Sequence, residues 1–229
     1  MRALRILLIT AVILGGLFVL VDRIAVNVAE SEAADRIQAS QGLAGSTDVS
    51  IKGFPFLTQV LGKELDQVDL SLTGVEATAG GRKVRVSELT ASLNDVRLED
   101  NYFRAVAASA SGTARISYAD LGKASNEDVT LSYGGNGKVK VTGTVELLGQ
   151  SITRSVLSTV SLADGATIRV RADKVPGEGI PGLEDMVRQR TDFDRQVDGL
   201  PAGLKIAKVE ATADGLAVTV TGRNVVLAG

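Results

Sequence analysis

The sequence contains no cysteine, no histidine and no tryptophan. Without histidine and cysteine, imidazole acid–base catalysis, serine–histidine triads, thiol chemistry and the usual zinc sites are excluded. The lack of cysteine also excludes disulfides and an acylated cysteine, so cysteine usage says nothing about the redox compartment. Because aromatic residues make up only 3% of the chain, its core has to be built from valine, leucine, isoleucine and alanine.

Length and charge set further bounds. The 229 residues suffice for one large domain or two small ones. A hydrophobic content of 45% excludes an intrinsically disordered chain. The formal net charge of −2 gives no general attraction for nucleic acid, so we expect no nucleic-acid partner.

A basic N-terminus precedes the longest apolar run. Arg2 and Arg5 stand before 16 mostly apolar residues, from Ile6 to Val21. This arrangement is typical of an export signal, although the run is short for a spanning helix and long for a signal-peptide core. No Ala-x-Ala site follows, which favours an uncleaved anchor over a protein secreted after signal cleavage. A buried N-terminal helix of a cytosolic protein is the third interpretation.

The favoured interpretation divides the chain in two. Residues 1–23 form a membrane anchor, and residues 24–229 form a single domain. Since basic residues stay on the cytoplasmic side of a membrane, the N-terminal arginines would remain inside the cell. The domain would then lie on the extracytoplasmic side of the cell membrane.

Hydrophobic periodicity predicts an α+β fold. The alanine-rich segment from Ile24 to Ser40 has the pattern of an amphipathic helix that continues from the anchor. Beyond it, apolar residues alternate with period two, and turns such as Asn136–Gly137 join the runs into about eight to ten antiparallel strands. A second helix is predicted over 183–197. Changes of phase predict β-bulges or short turns near Ser87–Glu88 and Asn94–Asp95.

Candidate catalytic and metal sites are weak. Asn136–Gly137–Lys138 lacks the spacing of a phosphate-binding loop. Paired carboxylates could serve a glycosidase, but such pairs commonly lie on solvated turns or helix faces. They are Glu99 with Asp100, Glu184 with Asp185, and Asp192 with Asp194. We therefore predict no catalytic residue, metal ligand or cofactor, and no enzyme activity.

The stretch GFPFLTQ, from Gly53 to Gln59, concentrates two of the five phenylalanines around a proline. Pro55 lacks an N–H donor and restricts Phe54 to an extended backbone, so a strand ends or bends there. Two interpretations stay open. Phe54, Phe56 and Leu57 either plug one end of the core or line the entrance of an apolar cavity.

This motif carries a family resemblance. The segment GFPFLTQVLGKELDQVDLSLTGV resembles the LmeA-like family of actinobacterial cell-envelope proteins, and LPAGLKIAKVEATADGLAVTVTG is similar to its C-terminal end. The resemblance implies a strongly curved antiparallel sheet wrapped around a long N-terminal helix, as in tubular lipid-binding domains of the bactericidal/permeability-increasing type. Gly53 and the four residues after it are the family hallmarks. Of these, the expected lipid-binding residues are Phe54, Pro55, Phe56 and Leu57.

The resemblance also implies a function. The expected protein is membrane-anchored and extracytoplasmic. It would bind, or transfer, phospholipid or glycolipid in an apolar cavity and support assembly of lipid-linked envelope glycans. Small side chains between Ala105 and Ser111 would leave room for a helix or an acyl chain. The alternative is a non-catalytic structural or interaction module of the envelope with a filled core. The sequence leaves the oligomeric state undetermined.

Overall fold

The computed structural model describes residues 2–41, 45–79, 81–102, 104–124, 129–147, 150–175, 183–197 and 199–227. The described residues are mostly strand, with a long helix first. The helices are α1 (Arg2–Gln41), α2 (Phe56–Gly62), α3 (Tyr118–Ala124) and α4 (Leu183–Thr191), with a 3-10 turn at Asp100–Tyr102. The strands are β1 (Thr47–Lys52), β2 (Glu64–Ala79), β3 (Arg82–Glu99), β4 (Arg104–Ile116), β5 (Val129–Gly135), β6 (Lys138–Leu147), β7 (Gln150–Ala163), β8 (Thr167–Ala172), β9 (Phe193–Gln196), β10 (Leu204–Thr212) and β11 (Gly215–Leu227).

Every strand pairing is antiparallel, which confirms the α+β class. The first sheet has the order β1-β2-β3-β4-β11-β10, and the second has the order β5-β6-β7-β8-β9. The resemblance implied one sheet, whereas the structure has two. The division arises because the chain leaves the first sheet after β4, builds the second, and returns with the β10–β11 hairpin beside β4.

One helix of 40 residues contains both the apolar run and the alanine-rich segment. At 1.5 Å per residue it is about 60 Å long. The large apolar side chains between Leu4 and Val21 are 41–69% exposed. Burial begins at Asp22 and Val26, where α1 packs mainly against β1 and α2. The apolar side chains in the first half of α1 are therefore left exposed, or bare, whereas the second half of α1 packs against β1 and α2.

The core consists of three hydrophobic clusters. The first cluster joins α1 and α2 to one end of the first sheet, and its buried members are Val26, Phe56, Leu65, Leu93, Val96, Ala107, Ala110 and Val225. The second lies mainly on the inner side of the second sheet. The third packs the two sheets against each other through residues such as Ile168, Ile206 and Val218.

The predicted second helix is wrong at its C-terminal end. Helix α4 ends at Thr191, and Phe193–Gln196 forms β9 against β8. The Asp194 carboxylate contacts Arg169 and Arg171 across this pairing. Contacts between distant parts of the chain thus override the local helical pattern.

A change of side-chain phase does occur at Asn94–Asp95, but without the predicted bulge. The register between β2 and β3 is the same on both sides, with Leu65 opposite Val96 and Gln67 opposite Asn94. Asp95 has φ 50°, and Asn224, in the corresponding row of β11, has φ 49°. Because the neighbouring strands change phase in the same row, no strand needs an extra residue. Near Ser87–Glu88 the β2–β3 register is also unshifted, so that bulge is absent too.

Candidate functional site

The GFPFLTQ stretch lies beside the point where α1 enters the domain. Strand β1 ends at Lys52, Gly53 has φ 94°, and the Phe54–Pro55 peptide bond is cis. The predicted end of the strand before Pro55 is confirmed. Helix α2 begins immediately afterwards, at Phe56.

Asp22 of α1 holds the start of α2. The Leu57 N–H donates to Asp22 Oδ1 at 2.8 Å, and Arg23 Nη2 donates to Asp22 Oδ2 at 2.8 Å. Pro55 supplies no side-chain cap, and the first N–H groups of a helix have no partner within it. The Asp22 carboxylate, which is completely buried, therefore caps α2 from another helix. This contact fixes the motif to the end of the apolar run.

The four expected lipid-binding residues separate into two environments. Phe56 is 6% exposed and belongs to the first cluster, and Leu57 packs against that cluster half-buried. Phe54 is 56% exposed, with the Arg23 guanidinium 5.1 Å from its ring centroid. Pro55 is half-buried between them. The placement of Phe56 matches a plug, and the placement of Phe54 leaves its ring open to a ligand or a membrane.

An apolar row crosses the inner face of the first sheet between the first and third clusters. We call it the central row; in sheet order it comprises Val49, Leu70, Ala91, Gly112, Val220 and Ile206. Its two end residues are buried, whereas the four in the middle are only half-buried. On one side of it Leu93 and Ala110 are buried in the first cluster, and on the other side Val218 is buried in the third. The middle of the central row is therefore an apolar strip that other residues cover only in part.

Small residues leave space above the sheet at the centre of the strip. Ala91 and Gly112 are paired neighbours on β3 and β4 and contribute almost no side-chain volume. Val49 lies at the α1 side of the row, and Ile206 packs with Ile168 of the second sheet. The strip thus runs across the first sheet, with α1 beyond one end and the second sheet beyond the other. The small residues named in the sequence analysis, at 105–111, include Ala107 and Ala110, which are buried in the first cluster with Val26 of α1. Gly112 lies just beyond that range, and sequence reasoning singled out neither it nor Ala91.

Two concave regions of the described chain do not provide the expected apolar cavity. One is an open strip along the bare part of α1, between Ala3 and Leu14. The other lies between α1 and β1 and is lined mostly by polar residues, including Glu30 and Asp48. Glu30 Oε1 accepts the Ile51 N–H at 2.6 Å, which ties α1 to the edge strand.

The carboxylate pairs considered for catalysis are largely engaged in structural contacts. Glu184 pairs with Arg188 at 2.9 Å, and Asp192 accepts the Ala172 N–H at 2.8 Å. Hydrogen bonds from Arg169, and then from Arg171, hold the pKa of Asp194 below its usual value. Within the described ranges, no group of three or more acidic side chains is arranged to hold a metal ion. These carboxylates make ion pairs and hydrogen bonds that hold the local structure.

The fold and the site define a class of protein. Helix α1 is long and apolar enough to cross a membrane, and it continues into an α+β domain whose first sheet carries a half-buried apolar row. Such a combination is compatible with a membrane-associated protein that binds apolar ligands.

The chain belongs to the LmeA-like phospholipid-binding family, whose sequence model matches residues 20–221. The predicted family is confirmed. Comparisons with curated proteins and with solved structures gave no match. The family match begins just before Asp22, so it includes the contact between α1 and the GFPFLTQ stretch.

Proposed function

We propose that the protein is anchored in the cell membrane by α1 and binds a phospholipid or glycolipid in a groove whose floor is the central row. The observation that carries this proposal is the half-buried middle of the row, in a chain of a phospholipid-binding family. Binding requires no covalent step, so the proposed protein is a lipid-binding protein and not an enzyme.

The groove suits an acyl chain. Its half-exposed floor extends over four strands, from β2 to β11, or about 14 Å at the usual strand spacing. Each acyl CH₂ group buried there contributes about 0.8 kcal/mol. Because Ala91 and Gly112 lower the centre of the floor, a chain can approach the sheet backbone there. Leu70 and Val220 then supply apolar contacts on either side.

The anchor and its orientation complete the proposal. Residues 1–23 cross the membrane, and residues 24–229 form one domain on the extracytoplasmic side. Asp22 and Val26 are buried at the boundary, so cleavage there would cut a helix that belongs to the core. This supports a retained anchor, and Arg2 and Arg5 support the orientation. Transfer of the lipid, a role in envelope glycan assembly and a curved, tubular domain are further parts of the proposal, suggested by the family.

The test compares two phenylalanine substitutions on one strand. Ala91→Phe fills the groove, whereas Thr90→Phe, the matched control, places the same ring on the exposed opposite face of β3. The full chain is delipidated in detergent, incubated with phosphatidylglycerol vesicles and examined by native mass spectrometry. We expect bound lipid on the wild type and the Thr90→Phe variant and a several-fold loss on the Ala91→Phe variant. Equal lipid on a folded Ala91→Phe variant, or none on the wild type, would overturn the proposal.

The burial of Phe56 favours a second candidate. A chain whose first cluster is already filled could serve as a structural or interaction module of the envelope. In that case the wild type would carry no lipid after incubation. Crosslinking in native membranes would instead yield a defined protein partner.

A further inference from the structure

We infer that a patch beside the middle of α1, where its apolar run ends, rests on the headgroup layer of the bilayer in which α1 is anchored. We call it the α2 patch; it consists of Phe54, Leu61 and Tyr102, with Arg23 and Lys63 beside the rings. The inference rests on the membrane anchor in the proposed function, and it adds a second contact with the membrane.

Three large apolar or aromatic side chains are exposed within a short distance. Phe54 is 56% exposed, Leu61 80% and Tyr102 51%. Phe54 lies two residues before α2, Leu61 lies in its last turn, and the Tyr102 hydroxyl donates to the Val60 carbonyl at 3.3 Å. Helix α2 has seven residues and is about 10 Å long, so only this short helix separates Phe54 at its start from Leu61 and Tyr102 at its end. A single exposed leucine is ordinary, but a patch of this kind marks an interaction surface.

The patch is continuous with the end of the apolar helix. The bare apolar run of α1 ends at Val21, and Arg23, two residues later, lies against the Phe54 ring. Asp22 accepts the Leu57 N–H, which prevents α2 from moving away from that point. When the run lies in the hydrocarbon core, its last residues lie near the headgroups. Phe54 is then held at the same level.

The chemistry of the patch favours lipid over a soluble partner. The Arg23 guanidinium lies 5.1 Å from the Phe54 ring centroid, and Lys63 Nζ lies 5.8 Å from that of Tyr102. Aromatic rings with cations beside them match a membrane interface, where rings meet the acyl boundary and cations meet phosphates. The backbone of Lys63 is held at the end of α2, since its N–H donates to the carbonyls of Gln59 and Val60.

The absence of tryptophan from the chain makes the contact directly measurable. Phe54→Trp and Leu61→Trp each introduce a single tryptophan into the patch, and its fluorescence is excited selectively, apart from that of the tyrosines. Leu157→Trp is the matched control, because Leu157 is 42% exposed on β7 of the second sheet. The full-length variants are inserted into nanodiscs of phosphatidylcholine and phosphatidylglycerol, with or without bromine on the acyl chains. Circular dichroism confirms that each variant is folded.

We expect brominated lipid to reduce the fluorescence of both patch variants about twofold, since interfacial side chains insert about 5–10 Å into the boundary. The Leu157→Trp fluorescence should not change. If bromine affects the patch variants no more than the control, the inference is wrong. Shielding of the patch from aqueous iodide without an effect of bromine would indicate that protein covers it, and would also overturn the inference.

The quenching experiment and the lipid-binding test of the proposed function can fail independently of each other. Lipid bound by each tryptophan variant is counted by native mass spectrometry after the incubation described above. Bound lipid without quenching would overturn the α2 patch and leave lipid binding intact. Quenching without bound lipid would overturn lipid binding and leave the α2 patch intact.

Discussion

Replacing Phe56 by alanine should destabilise the domain strongly, whereas the same replacement of Phe54 should not. The two residues belong to one short motif and differ in burial, with exposed fractions of 6% and 56%. Phe56 packs in the first cluster with Val26 of α1 and Leu65 of β2. Phe54 has the Arg23 guanidinium against its ring.

The magnitudes follow from these environments. Truncating a buried ring removes its transfer free energy and leaves a cavity, at a cost of about 3–5 kcal/mol. Phe56 is the one buried residue of α2, so this short helix can shift and fill part of the cavity. We therefore expect a loss near the lower end, about 3 kcal/mol. Phe54→Ala loses at most a partly solvated cation–π contact, about 0.5–1 kcal/mol.

The assay is urea unfolding of the full chain in detergent, followed by the circular dichroism of its sheets. Midpoints are compared at equal slopes, so that a shift reports a change in the free energy of unfolding. Phe56→Leu, which keeps most of the apolar volume, should recover much of the loss. Equal stability of the Phe56→Ala and Phe54→Ala variants would refute the reasoning. Unchanged stability of the Phe56→Ala variant with loss of bound lipid would show that Phe56 lines the lipid site.

Two further variants test polar contacts. Asp22→Ala removes the acceptor of the Leu57 N–H, so hydrogen exchange at that amide should accelerate. Asp35→Ala, the control, changes an exposed residue of the same helix and should leave the exchange rate unchanged. An unaltered rate in both variants would contradict the capping role of Asp22. The pKa of Asp194 is lowered by Arg169, so its contribution to stability is complete above the ordinary aspartate pKa of about 3.9 and is lost as pH falls through the lower folded-state value. Asp194→Asn should thus lower the urea midpoint at neutral pH and approach the wild type in strong acid; a constant difference at all pH values would argue against it.

Local periodicity was sufficient to predict several elements. Helix α1 was predicted because its apolar run and alanine-rich segment contain no proline and match a helical period. The end of β1 before Pro55 was predicted because proline restricts the residue before it. The antiparallel arrangement followed from short turns between strands, such as the one between β5 and β6.

Other predictions failed where distant residues decide the outcome. The residues of β9 have a helical pattern locally, yet Asp194 meets Arg169 on a strand 25 residues away in sequence. The bulge near Asp95 was predicted from one strand alone. Only the paired strands show that the phase changes together across the row, which removes the need for an extra residue.

The sequence by itself determined the apolar helix, the abundance of strands, the unusual GFPFLTQ stretch and the family. Tertiary structure alone decided that Phe56 is buried while Phe54 is exposed, and that Ala91, Gly112 and Val220 lie side by side. The physical reason is that alternation along a strand fixes which side chains share a face, but not which strands become neighbours. Pairing between β4 and β11, about a hundred residues apart, sets the register that assembles the central row.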